Sequence, residues 1–217
     1  MGKVIVGNFS ISVDGFGAGP GQDLEHPLGV GGLELHDWLF NTEVFHRIHG
    51  RDGGFQGIDN TTAAKSIEDV GAWILGRNMF GPVRGPWKDK SWIGWWGDNP
   101  PFHTPVFVLT HYARSPLRLE GGTTFHFVTD GPDSALNLAR KAAGEARVGV
   151  GGGVSVIRQY LAAGQIDEMH LAISPVILGE GEHLLQGIDL NKLGFVVDRA
   201  NLGEKAMHVV LRKTSAK

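Results

Sequence analysis

The stretch Val148-Gly149-Val150-Gly151-Gly152-Gly153-Val154 joins an apolar run to three consecutive glycines, and a helical pattern follows through Leu161. The pattern predicts a buried strand over 147–150 and a helix that the glycines open. Glycines let a phosphate approach the backbone, and a helix N-terminus presents free N–H groups and the positive end of its dipole. The stretch therefore predicts an anion site, with a tight turn that binds nothing as the alternative.

Two familiar phosphate motifs do not fit this stretch. The dinucleotide fingerprint G-x-G-x-x-G, counted from Gly149, would need a third glycine at position 154, where the chain has Val154. A P-loop would need Gly-Lys followed by Ser or Thr, which is also missing here. The anion interpretation therefore depends on the glycines and on the helix that follows them.

Apolar runs on both sides of the glycines alternate with helical patterns. Strands are predicted over 3–9, 72–76, 106–110, 124–128 and 167–175, and an antiparallel pair over 195–202 and 206–213. Helices are predicted over 131–143 and over 61–70, the latter capped by Asp59 or Asn60, with one short helix or two helical turns within 35–48. Strands that alternate with helices indicate a largely parallel sheet, so we expect an α/β fold in a single domain, 1–217.

Two segments interrupt the alternation and are expected to be irregular. Residues 17–32 are rich in Gly and Pro, and residues 81–105 contain Trp87, Trp92, Trp95 and Trp96. Long ordered loops are often functional. These tryptophans could stack on a flat heterocycle, pack in the core or contact a second copy, and we expect packing for most of them.

The composition excludes several classes of protein. The 217 residues include no Cys, which removes disulfides, thiolate zinc sites and cysteine nucleophiles. Lys and Arg total 20 against 23 Asp and Glu, so no positive excess attracts nucleic acid or an anionic membrane. No apolar stretch approaches the roughly 18 residues of a membrane helix, and the N-terminus has a strand pattern rather than that of a signal peptide. We therefore expect a cytoplasmic globular protein.

Polar residues follow two of the predicted strands. Gly76 and Arg77 follow the strand 72–76, and Thr110, His111 and Arg114 end or follow the strand 106–110. The carboxyl ends of parallel strands are where open α/β sheets bind ligands, and a guanidinium suits a phosphate. For a single such arginine, a surface salt bridge is the commoner role.

The histidines do not form a recognised metal pattern. His26, His36, His46 and His49 are close in sequence but lack the spacing of known ligand sets, so no metal site is expected. His170 and His208 fall in predicted strands, where we expect them to be hydrogen-bonded structural residues.

Taken in order, these segments resemble the dihydrofolate reductase-like superfamily. The sequence looks closest to the C-terminal reductase domain of bifunctional riboflavin-biosynthesis proteins (RibD) and to its stand-alone bacterial relatives. The matching pieces are 12–15, 76–77, 108–110, 151–153 with 158–161, and 166–171 leading to 175–181. The resemblance covers nearly the whole chain apart from 17–32 and 81–105.

The resemblance implies a three-layer fold with a mixed, mainly parallel sheet of about eight strands, an antiparallel C-terminal pair and flanking helices. It also implies NADPH as cofactor, bound by the turn Gly151, Gly152, Gly153 and Val154, with Gly152 and Gly153 facing the pyrophosphate. Gly76 would also contact the cofactor. Arg77 would hold the adenosine 2′-phosphate, and Thr110 and the segment from His111 to Arg114 would line the adenosine end.

For the substrate side, the resemblance implies two acidic candidates. Asp14 follows the first strand where riboflavin-type domains carry an Asp near the substrate. Asp37 lies where dihydrofolate reductases keep an acid that helps to deliver a proton to a C=N bond. A lone Asp on a helix is as often a cap or a solvated residue.

The expected function is NADPH-dependent reduction of a small heterocyclic substrate, such as a pterin or a ribosylamino-pyrimidine, by a homodimer. No zinc-deaminase signature can be present, because the chain has no Cys. One alternative is a protein that binds NADPH without turnover. A less favoured one is a metal-dependent hydrolase that uses the histidine-rich stretch.

Overall fold

The computed structural model describes residues 2–81 and 84–214, so two residues of the irregular segment 81–105 and both chain ends lie outside the description. Its strands are β1 (Val4–Ser12), β2 (Phe16–Ala18), β3 (Val70–Gly76), β4 (Pro105–Leu109), β5 (Leu117–Arg118), β6 (Thr124–Val128), β7 (Arg147–Gly152), β8 (Glu168–Ser174), β9 (Glu182–His183), β10 (Phe195–Leu202) and β11 (Met207–Lys213). Its helices are α1 (Asp37–Phe40), α2 (Glu43–Ile48), α3 (Ile58–Ile67), α4 (Arg77–Phe80), α5 (Pro132–Ala143) and α6 (Val154–Ala162).

Nine of these strands form one sheet in the order β10-β11-β8-β1-β7-β3-β4-β6-β5. The strands from β8 through β6 run parallel, whereas β11 and β10 continue the sheet antiparallel at one end and β5 does so at the other. The predicted fold class is confirmed, with nine strands instead of about eight.

The helices cover both faces of this sheet. Leu171 and Ala172 are consecutive residues of β8, so their side chains point to opposite faces. Leu171 belongs to the core that includes Leu136 of α5 and Ile157 of α6, and Ala172 belongs to a second core around Trp38. The result is a three-layer molecule in which the central strands are buried on both faces.

A chain of buried hydrogen bonds crosses the second core. Asp59 accepts from Nε2 of His208 at 2.7 Å, Nδ1 of His208 lies 3.0 Å from Nε2 of His170, and the backbone N–H of Asn8 donates to Nδ1 of His170 at 3.2 Å. Because a backbone N–H can only donate, each imidazole must be neutral and must pass its single N–H toward Asp59. Burial, together with the neighbouring His208 and Arg199, lowers the pKa of His170 to about 3. The structural role expected for both histidines agrees with these contacts.

Several boundaries differ from the sequence predictions. Helix α3 begins at Ile58 and ends at Ile67, so the predicted helix 61–70 is shifted. Asp59 is not its cap, because the carboxylate of Glu204, 145 residues later than Asp59, accepts from the N–H groups of Ile58 and Asp59. Strand β2 lies at the start of the segment predicted to be irregular, where it pairs with β9.

Within the described ranges, no helix is both long enough and apolar enough to cross a membrane.

Candidate functional site

The carboxyl ends of β7, β3, β4 and β6 meet at one edge of the sheet, because these neighbouring strands are parallel. Two cavities open at this edge. The polar cavity, of about 400 Å³, is lined by Gly76, Arg77, Asn78, Arg84, Gly85, Leu109, Thr110, His111, Tyr112, Thr129, Gly131, Pro132, Gly153, Ser155, Val156, Gln159 and Glu182. The aromatic cavity, of about 450 Å³, is lined chiefly by rings and aliphatic side chains, among them Phe9, Leu39, Phe40, Phe45, Ile48, Trp73, Met79, Trp95, Trp96 and Phe102. Asn78, Gly153 and Glu182 line both cavities, which therefore meet at Gly153.

The glycine turn, residues 151–153, lies where the two cavities meet, because Gly153 lines both of them. Strand β7 continues to Gly152, one turn residue follows, and α6 begins at Val154. The first turn of a helix leaves backbone N–H groups without intrahelical partners, and those of α6 begin beside the polar cavity. The peptide bond between Gly152 and Gly153 is cis.

Gly153 differs from its neighbours in having open space beside it. A Cβ on Gly151 would lie 2.7 Å from Cδ2 of Leu75, and Gly152 has a φ of +123° that L side chains rarely adopt. Gly153 has an ordinary φ of −65°, and a Cβ there would find its nearest neighbour, Oε2 of Glu182, at 3.9 Å. Packing and backbone geometry therefore explain glycine at 151 and 152, but not at 153.

The structure brings five of the predicted cofactor residues together around the polar cavity: Gly76, Arg77, Thr110, His111 and Gly153. Gly151 and Val154 line the aromatic cavity instead, and Gly152 is buried beneath both. Arg114 lies apart from the lining of either cavity, because its guanidinium is held by the backbone oxygens of Lys90 and Trp92.

Arg77, which lines the polar cavity, and Arg114, which does not, both contact the ring of Trp87. The guanidinium of Arg77 lies 3.7 Å from the ring centroid of Trp87, and that of Arg114 lies 5.1 Å from the same centroid. Burial and the charge of Arg114 lower the pKa of Arg77. Within the described part of the chain, Nε of Arg77 and Nη1 of Arg114 are buried and have no hydrogen-bond partner. Arg77 thus brings a positive charge to the polar cavity, and Arg114 adds a second one behind Trp87.

The aromatic cavity contains one residue that the sequence had indicated only as part of the histidine-rich stretch. His36 lines this cavity, and its ring stacks on Phe40 at a centroid distance of 5.8 Å. Burial lowers the pKa of His36 to about 4, against the smaller opposing effects of the Gly32 backbone and Asp37. Its Nδ1 is buried without a hydrogen-bond partner among the described residues.

The two predicted acids lie outside the lining of both cavities. The carboxylate of Asp14 accepts from the N–H groups of Leu178 and Gly179, at 3.2 and 2.7 Å, so it holds the segment that follows β8. The Ser12 hydroxyl and these two backbone groups lower the pKa of Asp14. Asp37 is exposed at the first position of α1, while its neighbour His36 faces the cavity.

Glu182 is the acidic residue at the junction, and the sequence analysis missed it. Its Oε1 accepts from Arg84 at 3.2 Å, and both residues line the polar cavity. Glu182 directly follows residues 175–181, one of the pieces that match the family, and this adjacency was the available signal.

The four neighbouring histidines make separate contacts. His26 pairs with Asp23, His46 contacts the backbone oxygen of Asp52, His49 contacts that of Phe45, and His36 faces the aromatic cavity. Among the residues that the structure describes, no group of three or more His, Cys, Asp or Glu is arranged to hold a metal ion.

Comparison with known proteins gives a consistent family. The family model for the RibD C-terminal domain matches residues 3–209. A putative riboflavin biosynthesis protein from Shewanella sp. PV-4 is similar in structure, with a TM-score of 0.59 and 19% identity over 99% of this chain and 100% of that one. Among curated proteins, no sequence matches significantly.

A second similar structure is a diaminohydroxyphosphoribosylaminopyrimidine deaminase/5-amino-6-(5-phosphoribosylamino)uracil reductase from Thermotoga maritima. Its TM-score is 0.54 and its identity 15%, over 98% of this chain but only 57% of that longer one. At these identities the two structures show a shared fold.

Proposed function

The chain belongs to the RibD C-terminal domain family, and from this premise we propose that it is an NADPH-dependent reductase of a small heterocyclic compound. The observation that carries the proposal is the meeting of a polar and an aromatic cavity at Gly153. A phosphorylated dinucleotide needs hydrogen-bond donors for its phosphate groups at one end. At the other end, its reactive ring needs a space from which water is largely excluded. The two cavities offer these environments side by side.

The residues present fit such a cofactor. The space beside Gly153 admits a ligand against bare backbone, and the N-terminus of α6 favours an anion there. Gly153 and the first turn of α6 would hold the pyrophosphate. Arg77, with its unpartnered Nε, would bind the 2′-phosphate beside Thr110 and His111, and Arg114 would add positive potential behind Trp87.

When bound, NADPH would supply a hydride, two electrons and one hydrogen nucleus, and would leave as NADP⁺. At the acceptor, the carbon of a C=N or C=O bond gains that hydride and the heteroatom gains one proton. The rings of the aromatic cavity would orient the acceptor and exclude water from it. Glu182, which lines both cavities at their junction, would pass the proton to the heteroatom.

Titration of the purified protein with NADPH, followed by tryptophan fluorescence, tests the cofactor assignment. We expect NADPH to bind more tightly than NADH, and Arg77→Ala to remove most of that preference because a phosphate contact is lost. Arg118→Ala, at an exposed arginine of β5, serves as the control and should retain it. Failure of both cofactors to bind would contradict the proposal.

One observation favours the alternative of NADPH binding without turnover. Asp14 and Asp37, the acids that the resemblance assigns to the substrate side, lie outside both cavities. Incubation with pterins and pyrimidines, monitored by loss of NADPH absorbance, separates the two functions, since a binding protein would oxidise no cofactor with any acceptor.

The resemblance to the riboflavin branch also leads us to propose a homodimer. Sedimentation velocity should give twice the chain mass of 23.4 kDa, and a species of the single chain mass would contradict this.

A further inference from the structure

The lining of the aromatic cavity contains no Lys or Arg among the described residues. Its volume of about 450 Å³ falls in the range of small-molecule pockets. An ionised phosphate or carboxylate buried without a cationic partner costs several kcal/mol, so the acidity of a ligand decides whether it can enter. The cavity lacks the charge that an anionic ligand would need.

The polar side chains of this lining are mostly engaged within the protein. Ser10 accepts from Trp38, Asn8 donates to the Ala63 backbone, Asn78 donates to Gln22, Gln22 donates to the Pro27 backbone, and His49 contacts the Phe45 backbone. Glu182 accepts from Arg84. These pairings leave few hydrogen-bonding groups for a ligand with many polar atoms.

Among the side chains of this lining, His36 is the one with a polar atom that is both buried and unpartnered in the described part of the chain. Its Nδ1 is buried and unpartnered within the described residues, while the ring is held against Phe40. A buried polar atom without a partner is unfavourable, and a ligand with one suitably placed donor or acceptor would relieve that cost.

Among the described residues, two cations contact this lining from outside it. Nη2 of Arg84 donates to Oε1 of Glu182 at 3.2 Å, at the junction with the polar cavity. The guanidinium of Arg51 lies over the ring of Phe45 at 5.5 Å from its centroid, and Arg51 itself is exposed. Phe45 lines the cavity, so its ring separates that charge from the interior. A phosphate-bearing ligand would therefore have to find its counter-charge at Arg51, behind Phe45, or at Arg84, which is already paired with Glu182.

We propose that the hydride acceptor is a flat, uncharged ring compound that carries no phosphate and makes its one buried polar contact to His36. This inference rests on the proposed reductase function, because it takes the aromatic cavity as the acceptor's place. It separates the chain from a reductase of phosphoribosylamino-pyrimidines, whose acceptor carries a phosphate.

Calorimetric titration without cofactor tests the charge preference, with 1-naphthol and 1-naphthyl phosphate as probes that share one ring system. We expect 1-naphthol to bind at least about tenfold more tightly, because the phosphate would be buried without a cation. Equal or tighter binding of the phosphate, or no binding of either probe, would overturn the inference. A loss of affinity for 1-naphthyl phosphate in Arg51→Ala or Arg84→Ala would show that the cavity supplies a counter-charge, and it would overturn the inference.

Two variants locate the bound probe. Phe45→Ala should weaken 1-naphthol binding about fivefold or more, whereas Phe55→Ala, at a phenylalanine outside the lining, should leave it unchanged. His36→Phe keeps a ring of similar size and removes Nδ1. It should abolish the advantage of 1-naphthol over naphthalene, and an advantage that persisted would exclude His36 as the polar contact.

The NADPH titration on the same samples separates this inference from the proposed function. Binding of NADPH with a preference for 1-naphthyl phosphate would keep the reductase and overturn the uncharged acceptor. Binding of 1-naphthol without binding of NADPH would keep the ligand class of the cavity and overturn the reductase.

Discussion

At the scale of single residues, Gly153 carries the clearest sign of a ligand. Glycine at 151 and 152 is explained by crowding or by backbone conformation, whereas a Cβ at 153 would have only Oε2 of Glu182, at 3.9 Å, within 4 Å. The space beside Gly153 belongs to both cavities, so a methyl group there would occupy volume that a ligand needs.

We expect Gly153→Ala to weaken NADPH binding by about tenfold or more while the free energy of unfolding changes by no more than about 1 kcal/mol. Fluorescence titration and urea unfolding measure the two effects. Gly149→Ala is the contrasting variant, because its Cβ would lie 2.5 Å from the Trp73 ring and should destabilise the fold by about 1–3 kcal/mol. Tight NADPH binding by Gly153→Ala would show that the space at 153 has another purpose.

Glu182 has a separable role at the same junction. Glu182→Gln keeps the size of the side chain and removes its acid, so kcat should fall about tenfold or more while Kd for NADPH changes little. Steady-state kinetics with an identified acceptor measure the change in kcat, and fluorescence titration measures the change in Kd for NADPH. Arg84→Gln, which removes the partner of Glu182 and keeps the acid, should have the smaller effect on kcat, and the reverse order would assign Glu182 a purely structural part.

At the scale of elements, α3 depends on a residue far away in sequence. Glu204 accepts from the N–H groups of Ile58 and Asp59, and these two bonds lower the pKa of Glu204. A glutamate that caps a helix from the β10–β11 link couples the two segments.

Glu204→Ala should lower the free energy of unfolding by about 1 kcal/mol, as loss of a helix cap does. Glu180→Ala, at an exposed glutamate in the segment after β8, should change it little. Urea unfolding at neutral pH measures both. Equal stability of the two variants would mean that solvent replaces the cap without loss.

Local hydrophobic pattern was enough to predict some of the strands and helices but not others. Hydrophobic runs predicted the buried strands β3, β4, β6 and β7 and the helices α5 and α6, because burial on both faces leaves continuous apolar sequence. The start of α3 was missed because its cap comes from Glu204, and β2 was missed because its partner β9 lies more than 160 residues away. Such long-range partners leave no local signature.

At the scale of the whole molecule, buried neutral histidines make stability depend on pH. Burial lowers the pKa of His170 to about 3 and that of His36 to about 4, from the ordinary histidine value of about 6.5. Between these lowered values and pH 6.5, both histidines are protonated in the unfolded chain but neutral in the folded one. The free energy of unfolding therefore decreases as pH falls below about 6.5.

At pH 5.5, one unit below the unfolded-state pKa, each of these histidines should lower the free energy of unfolding by about 1.4 kcal/mol relative to neutral pH. One pKa unit corresponds to that energy. Urea unfolding at several pH values measures the slope. A variant His36→Phe should show a shallower slope, whereas His111→Gln, at an exposed histidine, should show that of the original chain. If the free energy of unfolding stayed constant between pH 7.5 and 5.5, His170 and His36 could not both be neutral in the folded protein.

Only part of the candidate site could be predicted from the sequence. Glycines and polar residues at the ends of parallel strands pointed to the polar cavity, because strand direction alone brings them to one edge. The aromatic cavity could not be predicted, since rings from β1, α1, α2, β3 and the segment 81–105 meet there only after folding. The sequence could not indicate that His36 and Glu182 line the cavities while Asp14 and Asp37 do not, because packing decides the direction of each side chain.

The junction at Gly153 has a thermodynamic consequence. Asn78, Gly153 and Glu182 form a partition common to both cavities, so an occupant of one becomes part of the surface that the other presents. Affinities on the two sides are then linked, and the factor by which a first ligand changes the binding of a second must be the same in either order of addition.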